Sequence, residues 1–188
     1  LFHAAFLSEN ENVIRLLLPV SDINARNNRG QTALMSASSM SMAHVVKYTK
    51  YLKKVEILIL VSDANMTDKK GATALFYAVK NGNIKLVKLL LPVSDAKITD
   101  NLGFTALIHA AQHNSISSKI VELLLPASNA KASNIWGLTA LIAAAKSGNL
   151  KKVELLIPVS NAKASAGVGW GMTALCHAVR GGYEKIVE

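Results

Sequence analysis

The chain of 188 residues has little cysteine, few aromatic residues and no long hydrophobic run. Its single cysteine, Cys176, excludes an intramolecular disulfide and fits a reducing compartment. The longest uncharged apolar runs, such as Ile57 to Val61, are far shorter than the roughly 20 residues that a membrane-spanning helix needs. No basic segment followed by an apolar stretch opens the sequence, so no signal peptide is predicted. We therefore expect an intracellular protein, cytoplasmic, with the nucleus left open.

Recognisable catalytic motifs are missing as well. The sequence contains no G-x-S-x-G nucleophile motif, no Walker loop and no H-E-x-x-H zinc motif. Gly167 begins the stretch GVGWG, but it falls in a turn and not between a strand and a helix, which disfavours a phosphate loop. Cys176 and His177 are adjacent, but a metal site needs more ligands than these two. We expect no catalytic residue, no cofactor and no metal site.

Basic residues exceed acidic ones, with 21 Lys and Arg against 12 Asp and Glu and a net charge of +9. Such an excess can attract nucleic acid or an anionic membrane. Most of the lysines stand singly, however, which is typical of a solvated surface. With 51% hydrophobic residues the chain has enough apolar material for a substantial core. We favour the solvated surface and expect neither nucleic acid nor membrane as the principal partner.

Proline is scarce too, and all four prolines stand directly behind an apolar run. The run LLLPVSD begins at Leu16 and returns at Leu89, with the near-copies LLLPASN from Leu123 and LLIPVSN from Leu155. Proline removes a backbone donor and fixes φ, and the Ser and Asp or Asn that follow are turn formers. The recurring stretch therefore indicates the end of a helix.

A second signature, G-x-T-A-L, alternates with the proline in fixed order. Its five copies begin 41, 32, 34 and 34 residues apart, at Gly30, Gly71, Gly103, Gly137 and Gly171. Repeats of this length indicate a stacked solenoid. In the copy GATALFYAVKNGNIKLVKLLL, Thr73 caps the first helix, Gly82 closes it and Ile84 opens the second. The sequence thereby resembles an ankyrin repeat array, in which each repeat is a β-turn finger followed by two antiparallel helices.

The resemblance covers essentially the whole chain and implies a mainly α fold, an ankyrin-repeat solenoid of stacked helix-turn-helix repeats with β-turn fingers. We expect a single domain over 1–188, with repeats at about 1–29, 30–70, 71–102, 103–136, 137–170 and 171–188. The first and last repeats are incomplete, and the 30–70 repeat carries nine inserted residues. Neither end has the polar cap that solenoids need, so we expect a piece of a longer protein.

The family's T-P-L-H motif has lost its histidine in this chain. Its place is taken in the five copies by Met35, Phe76, Ile108, Ile142 and Cys176. Apolar packing should replace the hydrogen bonds that the histidine makes in the family. Cys176 is therefore expected to be a small buried hydrophobe.

Proline also stands where the family usually ends the second helix with glycine. Proline disfavours the α region for the residue before it. The second helices should therefore close at Leu18, Leu91, Leu125 and Ile157.

The insertion lies within the 30–70 repeat, where apolar residues recur at steps of three and four. This spacing predicts one helical stripe, formed by Val45, Tyr48, Leu52, Val55 and Ile59. The second helix should then be longer than usual by about two and a half turns. The same segment holds the densest basic stretch, Lys47 to Lys54. We interpret it as a solvated helix face, with an acidic partner, a membrane surface or a phosphate backbone left open.

The resemblance also implies where a partner would bind. Ankyrin arrays bind through their concave side, which is formed by the fingers and by the exposed ends of the first helices. Carried over position by position, these places are occupied by Lys69, Lys70, Lys80, Leu102, Phe104, Gln112, His113, Ile135, Trp136, Leu138, Lys146, Trp170, Met172 and Arg180. Tryptophan and arginine are frequent binding hot spots. The sequence leaves open whether the apolar finger residues are exposed or packed on one another.

These observations predict a monomeric, non-catalytic interaction module or scaffold that binds a protein partner of unknown identity on its concave, finger-lined face. The alternative is a basic module that binds nucleic acid or anionic membrane through the helix at Lys47 to Lys54. A third possibility is a spacer or regulatory appendage of a catalytic domain elsewhere in the parent chain. It rests on the similarity to variant arrays of protist proteins, some of which carry a kinase-like domain.

Overall fold

A computed structural model of the chain describes residues 11–40, 48–166 and 171–188. These residues are mostly helical and divide into two compact units, Leu1–Asp95 and Ala96–Glu188, the first unit and the second unit. Each unit consists of repeats of two short helices, and each is described by itself. The expected mainly α, helix-turn-helix repeat fold is confirmed.

The first unit has five helices among its described residues. They are α1 (Glu11–Leu17), α2 (Ala33–Ser38), α3 (Tyr48–Val61), α4 (Ala74–Lys80) and α5 (Ile84–Leu90). The first helices of successive repeats, α2 and α4, pack against each other. The second helices pack in the order α1, α3, α5. The unit therefore has two helical layers, with aliphatic side chains such as Leu34, Leu75 and Leu86 buried in its core.

The second unit repeats this arrangement. Its first helices are α6 (Ala106–Gln112), α8 (Ala140–Lys146) and α10 (Ala174–Arg180), and its second helices are α7 (Ser118–Leu124), α9 (Leu150–Leu156) and α11 (Glu184–Val187). Each layer again packs in chain order. Two short antiparallel strands, β1 (Ser165–Ala166) and β2 (Met172–Thr173), pair with each other ahead of α10. Helix α8 lies at the centre of the core, since every residue from Ala140 to Ala145 is buried.

Threonine determines where the first helices begin. The Thr73 side-chain oxygen accepts the backbone N–H of Phe76 at 3.2 Å, which caps α4. The other first helices are capped in the same way by Thr32, Thr105, Thr139 and Thr173. A cap of this kind contributes about 1 kcal/mol to stability. The threonine of G-x-T-A-L is thus the start signal that the sequence indicated.

The prolines end the second helices by a different route from the one predicted. The α-helices end at Leu17, Leu90, Leu124 and Leu156, one residue earlier than expected. The residue before proline stays helical, as Leu91 does with φ −56° and ψ −40°, because the chain continues into a 3-10 turn that contains the proline. Only Ser94 turns to extended backbone, with φ −116° and ψ 143°. Proline therefore acts by lacking a backbone N–H and not by making its neighbour extended.

The 30–70 repeat provides an internal comparison, because it has Leu60 in the place of proline. Its helix α3 runs through Leu60 to Val61, three residues past Leu58, which is the counterpart of Leu90 at the end of α5. The Ser62 N–H still bonds the Leu58 carbonyl oxygen at 2.9 Å. Where the backbone donor is present, α-helical bonding continues.

Helix α3 is longer than its counterparts, as predicted, with 14 residues against seven in α5. Its predicted apolar stripe is only partly correct, since Val55 is buried as predicted but is joined by residues outside the stripe. The residues that are buried are Tyr51, Lys54, Val55 and Leu58. Of the predicted stripe, Leu52 and Ile59 are half-buried, and Val45 and the Tyr48 side chain lie outside the described residues.

The Tyr51 hydroxyl is what fixes the rotation of α3. It donates to the Ala37 carbonyl oxygen near the end of α2, so it must face the interior. Residues one helical turn further on, Lys54 and Val55, then face inward too. The interpretation of Lys47 to Lys54 as a solvated helix face is wrong at Lys54 for this reason. Lys54 is only 7% exposed, Lys50 and Lys53 are exposed, and Lys47 lies outside the described residues.

Apolar side chains do replace the family's histidine inside the first helices. Met35, Ile108 and Ile142 are each at most 1% exposed, while Phe76 is half-buried. Packing against the next first helix of the same unit accounts for this burial at Met35, Ile108 and Ile142.

The expectation that Cys176 is buried is wrong. Its side chain is exposed, together with its neighbours Leu175 and Val179, at 55% and 59% exposure. Among the described residues no further repeat follows α10, so its outer face is not covered by the first helix of a next repeat. The Thr173 hydroxyl donates to the Cys176 sulfur at 3.3 Å, and this bond lowers the pKa of the thiol.

Replacing Pro92 by leucine gives the 71–102 repeat the residue that the 30–70 repeat has. We expect α5 to extend by about one turn and the free energy of unfolding to fall by about 0.4–1 kcal/mol, because proline restricts the unfolded chain. Urea denaturation measures the change. Val93→Leu, at an exposed neighbouring position, is the control and should leave stability unchanged. A Pro92→Leu chain as stable as the control would contradict the prediction.

The folded chain should react with one equivalent of a thiol-specific disulfide reagent at neutral pH. The rate is expected to lie within about tenfold of that of the unfolded chain, since exposure and a lowered pKa favour the reaction. Absorbance of the released chromophore measures it, and Cys176→Ser gives the background. Reaction only at denaturant concentrations that unfold the chain would show that the thiol is buried.

Candidate functional site

Each described finger before α2, α4, α6 and α8 is organised by one Asp or Asn side chain. Asp100 Oδ1 accepts the backbone N–H groups of Leu102 and Phe104 at 2.9 and 2.8 Å. The same bonds in the other three fingers are made by Asn27, Asp68 and Asn134. Short side chains that bond the backbone two residues on are favoured in turns for this reason. The bonds fix the backbone that carries the predicted binding residues.

Two fingers of the second unit are joined directly to each other. The Ile135 N–H donates to the Leu102 carbonyl oxygen at 3.1 Å. Gly103 allows this approach, because a Cβ on it would lie only 2.9 Å from the Asn134 Cα, and its φ of +78° is strained for other residues. The two fingers therefore form one continuous edge.

Aromatic and aliphatic side chains line this edge. Phe104 and Trp136 pack edge to face, with ring centroids 6.0 Å apart and an interplanar angle of 63°. Phe104 and Leu138 are half-buried, whereas Leu102, Ile135 and Trp136 expose 45%, 62% and 44% of their surface. Both possibilities left open by the sequence thus occur, since Phe104 packs on the next finger and three apolar side chains stay accessible. These three, Leu102, Ile135 and Trp136, are called the apolar edge.

The fingers of the first unit carry charge in place of apolar side chains. Lys69 and Lys70 are exposed, and the Lys69 N–H donates to the Arg29 carbonyl oxygen of the neighbouring finger at 3.2 Å. Lys80, the last residue of α4, is also exposed. The described fingers of the first unit are therefore basic where those of the second unit are apolar.

A partly buried hydrogen-bond network supports the fingers of the first unit. The Tyr77 hydroxyl donates to Asp68 Oδ2 at 2.7 Å and accepts a bond from the Gln31 side-chain amide at 2.8 Å. Burial, and next the bond to Asp68, raise the pKa of Tyr77, so the phenol stays neutral. Asp68 thereby links the turn of its own finger to helix α4 and to the preceding finger.

At the end of α6 the predicted residues are only partly accessible. Gln112 is half-buried, and His113, which follows it, is exposed. The rings of His109 and His113 lie 4.5 Å apart. This end of the surface therefore carries two imidazoles in contact, tilted by 47° to each other.

At the ends of α8 and α10 the predicted residues are cations. Lys146 and Arg180 are the last residues of these helices, and both are exposed. The Arg180 guanidinium lies 3.9 Å from the sulfur of Met172, which is half-buried. Trp170 lies outside the described residues, so its predicted role is neither supported nor opposed.

Lys152, which the sequence reasoning missed, holds the end of α6 in place. This lysine of α9 is 0% exposed, and its ammonium donates to the carbonyl oxygens of Ala110 and His113 at 2.8 and 2.7 Å. Burial lowers the pKa of Lys152. The Ser147 hydroxyl donates to the Ala111 carbonyl oxygen at 3.3 Å. Three carbonyl groups near the end of α6 are therefore paired by side chains of the following repeat.

Helix α4 shows why α6 needs this help. Gly82, with φ 66°, lets the N–H groups of Gly82 and Asn83 bond the carbonyl oxygens of Val79 and Ala78 at 2.9 and 3.0 Å. The 103–136 repeat has lost this glycine, and its chain leaves α6 in an extended conformation at His113. The Lys152 ammonium supplies the donors that the backbone no longer provides.

A signal for this role does exist in the sequence. Lys152 occupies the repeat position of Leu86 and Ile120, which are both 0% exposed. A lysine at a core position, directly after a repeat without its glycine, indicates a side-chain donor for the open helix end. Lys54 occupies the same position in α3 and is buried as well.

The described side chains of the fingers and helix ends are groups suited to binding. Within residues 11–40, 48–166 and 171–188, no three His, Cys, Asp or Glu side chains are grouped so that they could hold a metal ion. A bilayer-crossing helix, both long and apolar, is likewise not found in that part of the chain. What the described surface presents is charged fingers in the first unit, and an apolar edge with basic helix ends in the second.

Comparison with known proteins bears on this arrangement. The family model described as ankyrin repeats (3 copies) matches residues 42–135 and 113–188. Among solved structures, an ankyrin repeat domain from Acinetobacter baumannii AYE is similar, with 29% sequence identity and a TM-score of 0.82 over 99% of this chain and 93% of that chain. None of the curated proteins matches this chain.

Lys152→Leu places the residue of the 71–102 repeat at this position. We expect the free energy of unfolding to fall by about 1–3 kcal/mol, because the buried carbonyl group of Ala110 loses its side-chain donor and that of His113 keeps only the Ile116 N–H. Chemical denaturation measures the change, and hydrogen exchange should rise in the connection between α6 and α7. Lys151→Leu, at the exposed neighbouring position, should alter stability by less than about 0.5 kcal/mol. Equal stabilities for the two variants would mean that the ammonium is not needed.

Proposed function

Since this chain belongs to the ankyrin repeat family, we propose that it is a non-catalytic interaction module that binds a protein partner on its finger-lined face. This face is, in each unit, the surface formed by the fingers and the ends of the first helices. Ankyrin repeats are generally protein–protein interaction modules. The module is proposed to act as a monomer, inside the cell, where its free thiol would stay reduced.

The apolar edge is the observation that carries the proposal. Leu102, Ile135 and Trp136 are accessible, and they lie together on two neighbouring fingers that are bonded to each other. Their backbone is fixed by the Asp100 and Asn134 side chains and by the bond between the two fingers. A partner therefore meets a preorganised surface and loses little conformational freedom there. Accessible apolar patches of this kind mark interaction sites, and tryptophan is prominent among hot spots.

The charged fingers of the first unit fit the same function in a different role. Lys70 and Lys80 are exposed and give that unit's finger-lined face a positive charge. Exposed charges contribute less to affinity than to the rate of association and to the choice of partner. The first unit thus offers steering, and the second unit offers anchoring.

The alternative of a basic helix that binds nucleic acid or membrane has less support. Of the lysines from Lys47 to Lys54, the described residues expose Lys50 and Lys53, and Lys54 faces the core. Two charges on one helix are few for binding driven by phosphate contacts, which draws on many such contacts.

Trp136→Ala is expected to abolish partner capture and leave the fold intact. Loss of a tryptophan hot spot costs about 2 kcal/mol or more, roughly a thirtyfold loss of affinity. The measurement is capture of partners by the immobilised chain, with bound proteins identified by mass spectrometry, and thermal unfolding checks the fold.

Ile157→Ala is the matched control. Ile157 belongs to the same unit and is 52% exposed, but it lies in the turn after α9 and not in a finger. Its variant should capture the same partners as the unchanged chain. Undiminished capture by Trp136→Ala, or equal loss in both variants, would count against the finger-lined face.

A further inference from the structure

The ends of α8 and α10 bring three basic side chains to one place in the second unit. Lys146 ends α8, Arg180 ends α10, and the two helices pack against each other. His177 lies about one helical turn before Arg180 on α10, and burial first, then the charges of Lys146 and Arg180, lower its pKa. Lys146, His177 and Arg180 are called the basic cluster.

Neither full charge of the basic cluster is neutralised by a carboxylate among the described residues. The ion pair recorded in that part of the second unit joins Lys119 to Glu122. Arg180 instead contacts the Met172 sulfur, and Lys146 is exposed at its helix end. Between residues 96 and 188 the sequence has nine Lys and Arg against five Asp and Glu. An uncompensated positive cluster of this kind attracts anionic groups.

The basic cluster and the apolar edge lie at the two ends of the same helix. Trp136 stands in the finger just before α8, and Lys146 is the last residue of that helix. Six residue steps along a helix cover about 9 Å, and the finger adds a few ångströms. The separation between apolar and basic groups is thus roughly 10–15 Å, about three to five residues of an extended chain.

We propose that the second unit binds an acidic segment of a protein partner, with an apolar side chain on the apolar edge and a carboxylate on the basic cluster about three to five residues away. This inference rests on the proposed function and adds the chemistry of the partner. The apolar anchor supplies affinity, and the carboxylate sets the register of the segment and excludes basic partners.

A protein segment fits this surface better than a phosphate backbone does. The cluster has two permanent charges, and the third group, His177, is neutral near pH 7 because its pKa is lowered. Binding to a phosphate backbone depends on many such contacts. The apolar edge, with 62% of Ile135 exposed, also offers an aliphatic surface that phosphates and sugars do not match.

The test is a selection from a displayed library of random twelve-residue peptides, carried out in parallel on the full chain and on Lys146→Glu/Arg180→Glu. We expect the unchanged chain to enrich peptides with Asp or Glu three to five residues from Leu, Ile, Phe or Trp. The charge-reversed variant should lose the acidic preference and keep the apolar one. No acidic enrichment, or the same enrichment on both chains, would overturn the inference.

The strongest selected peptide is then synthesised and its affinity measured by fluorescence anisotropy. Charge reversal at Lys146 and Arg180 should weaken it by about tenfold or more, whereas Lys151→Glu/Lys163→Glu, at exposed lysines outside the basic cluster, should change it less than about twofold. Tighter binding of an oligothymidine or of phosphatidylserine vesicles than of this peptide would also overturn it.

Trp136→Ala separates this inference from the function on which it rests. Peptides whose binding is lost in Trp136→Ala but unchanged in Lys146→Glu/Arg180→Glu would support the finger-lined face and refute the acidic partner. Selected peptides that depend on neither, or a selection that yields no peptide, would count against both. Dependence on Trp136 and on the cations together supports both.

Discussion

An α-helix ends with carbonyl groups that have no partner inside the helix, and this constraint shapes the whole chain. In a helix of seven residues such as α5, most backbone groups belong to one end or the other. The first helices meet the constraint in three ways. A left-handed glycine follows α4 and α8, and the Lys152 ammonium bonds the end of α6. In α2 the Tyr51 hydroxyl donates to the Ala37 carbonyl oxygen and the Asn81 amide donates to that of Ser38. Each solution also fixes the direction in which the chain continues.

The surface proposed to bind a partner depends on these closures. His113 and Lys146 stand at helix ends, and the position of each follows from how its helix is closed. The fingers are held by a second set of local bonds, from Asp or Asn side chains to the backbone. The backbone that carries the exposed side chains thus has its polar groups paired. An apolar residue such as Trp136 can therefore be exposed to solvent without destabilising the fold.

The local signals could be predicted from the sequence, and the contextual ones could not. Thr73 and Gly82 act within a few residues of themselves, so one repeat reveals what they do, and the prolines reveal that a helix ends although not by which route. The inward side of α3, the exposure of Cys176 and the burial of Lys152 depend on what packs beside them. A lysine is expected to lie on the surface. Its burial can be inferred only by also noticing that the neighbouring repeat lacks a glycine. The exposure of the finger side chains likewise depends on the next finger, which the sequence of one repeat does not contain.

The bond from Lys152 to α6 also bears on how arrays of this type change in length. Repeat proteins are usually regarded as strings of interchangeable parts, each of which can be gained or lost alone. The repeats at 103–136 and 137–170 do not fit that description, because one lacks a helix terminator and the other carries its substitute. Duplication or deletion that separated them would leave a buried lysine facing no carbonyls, or open carbonyls facing a leucine. In this stretch of the chain, the two repeats at 103–136 and 137–170 are therefore expected to be gained or lost together.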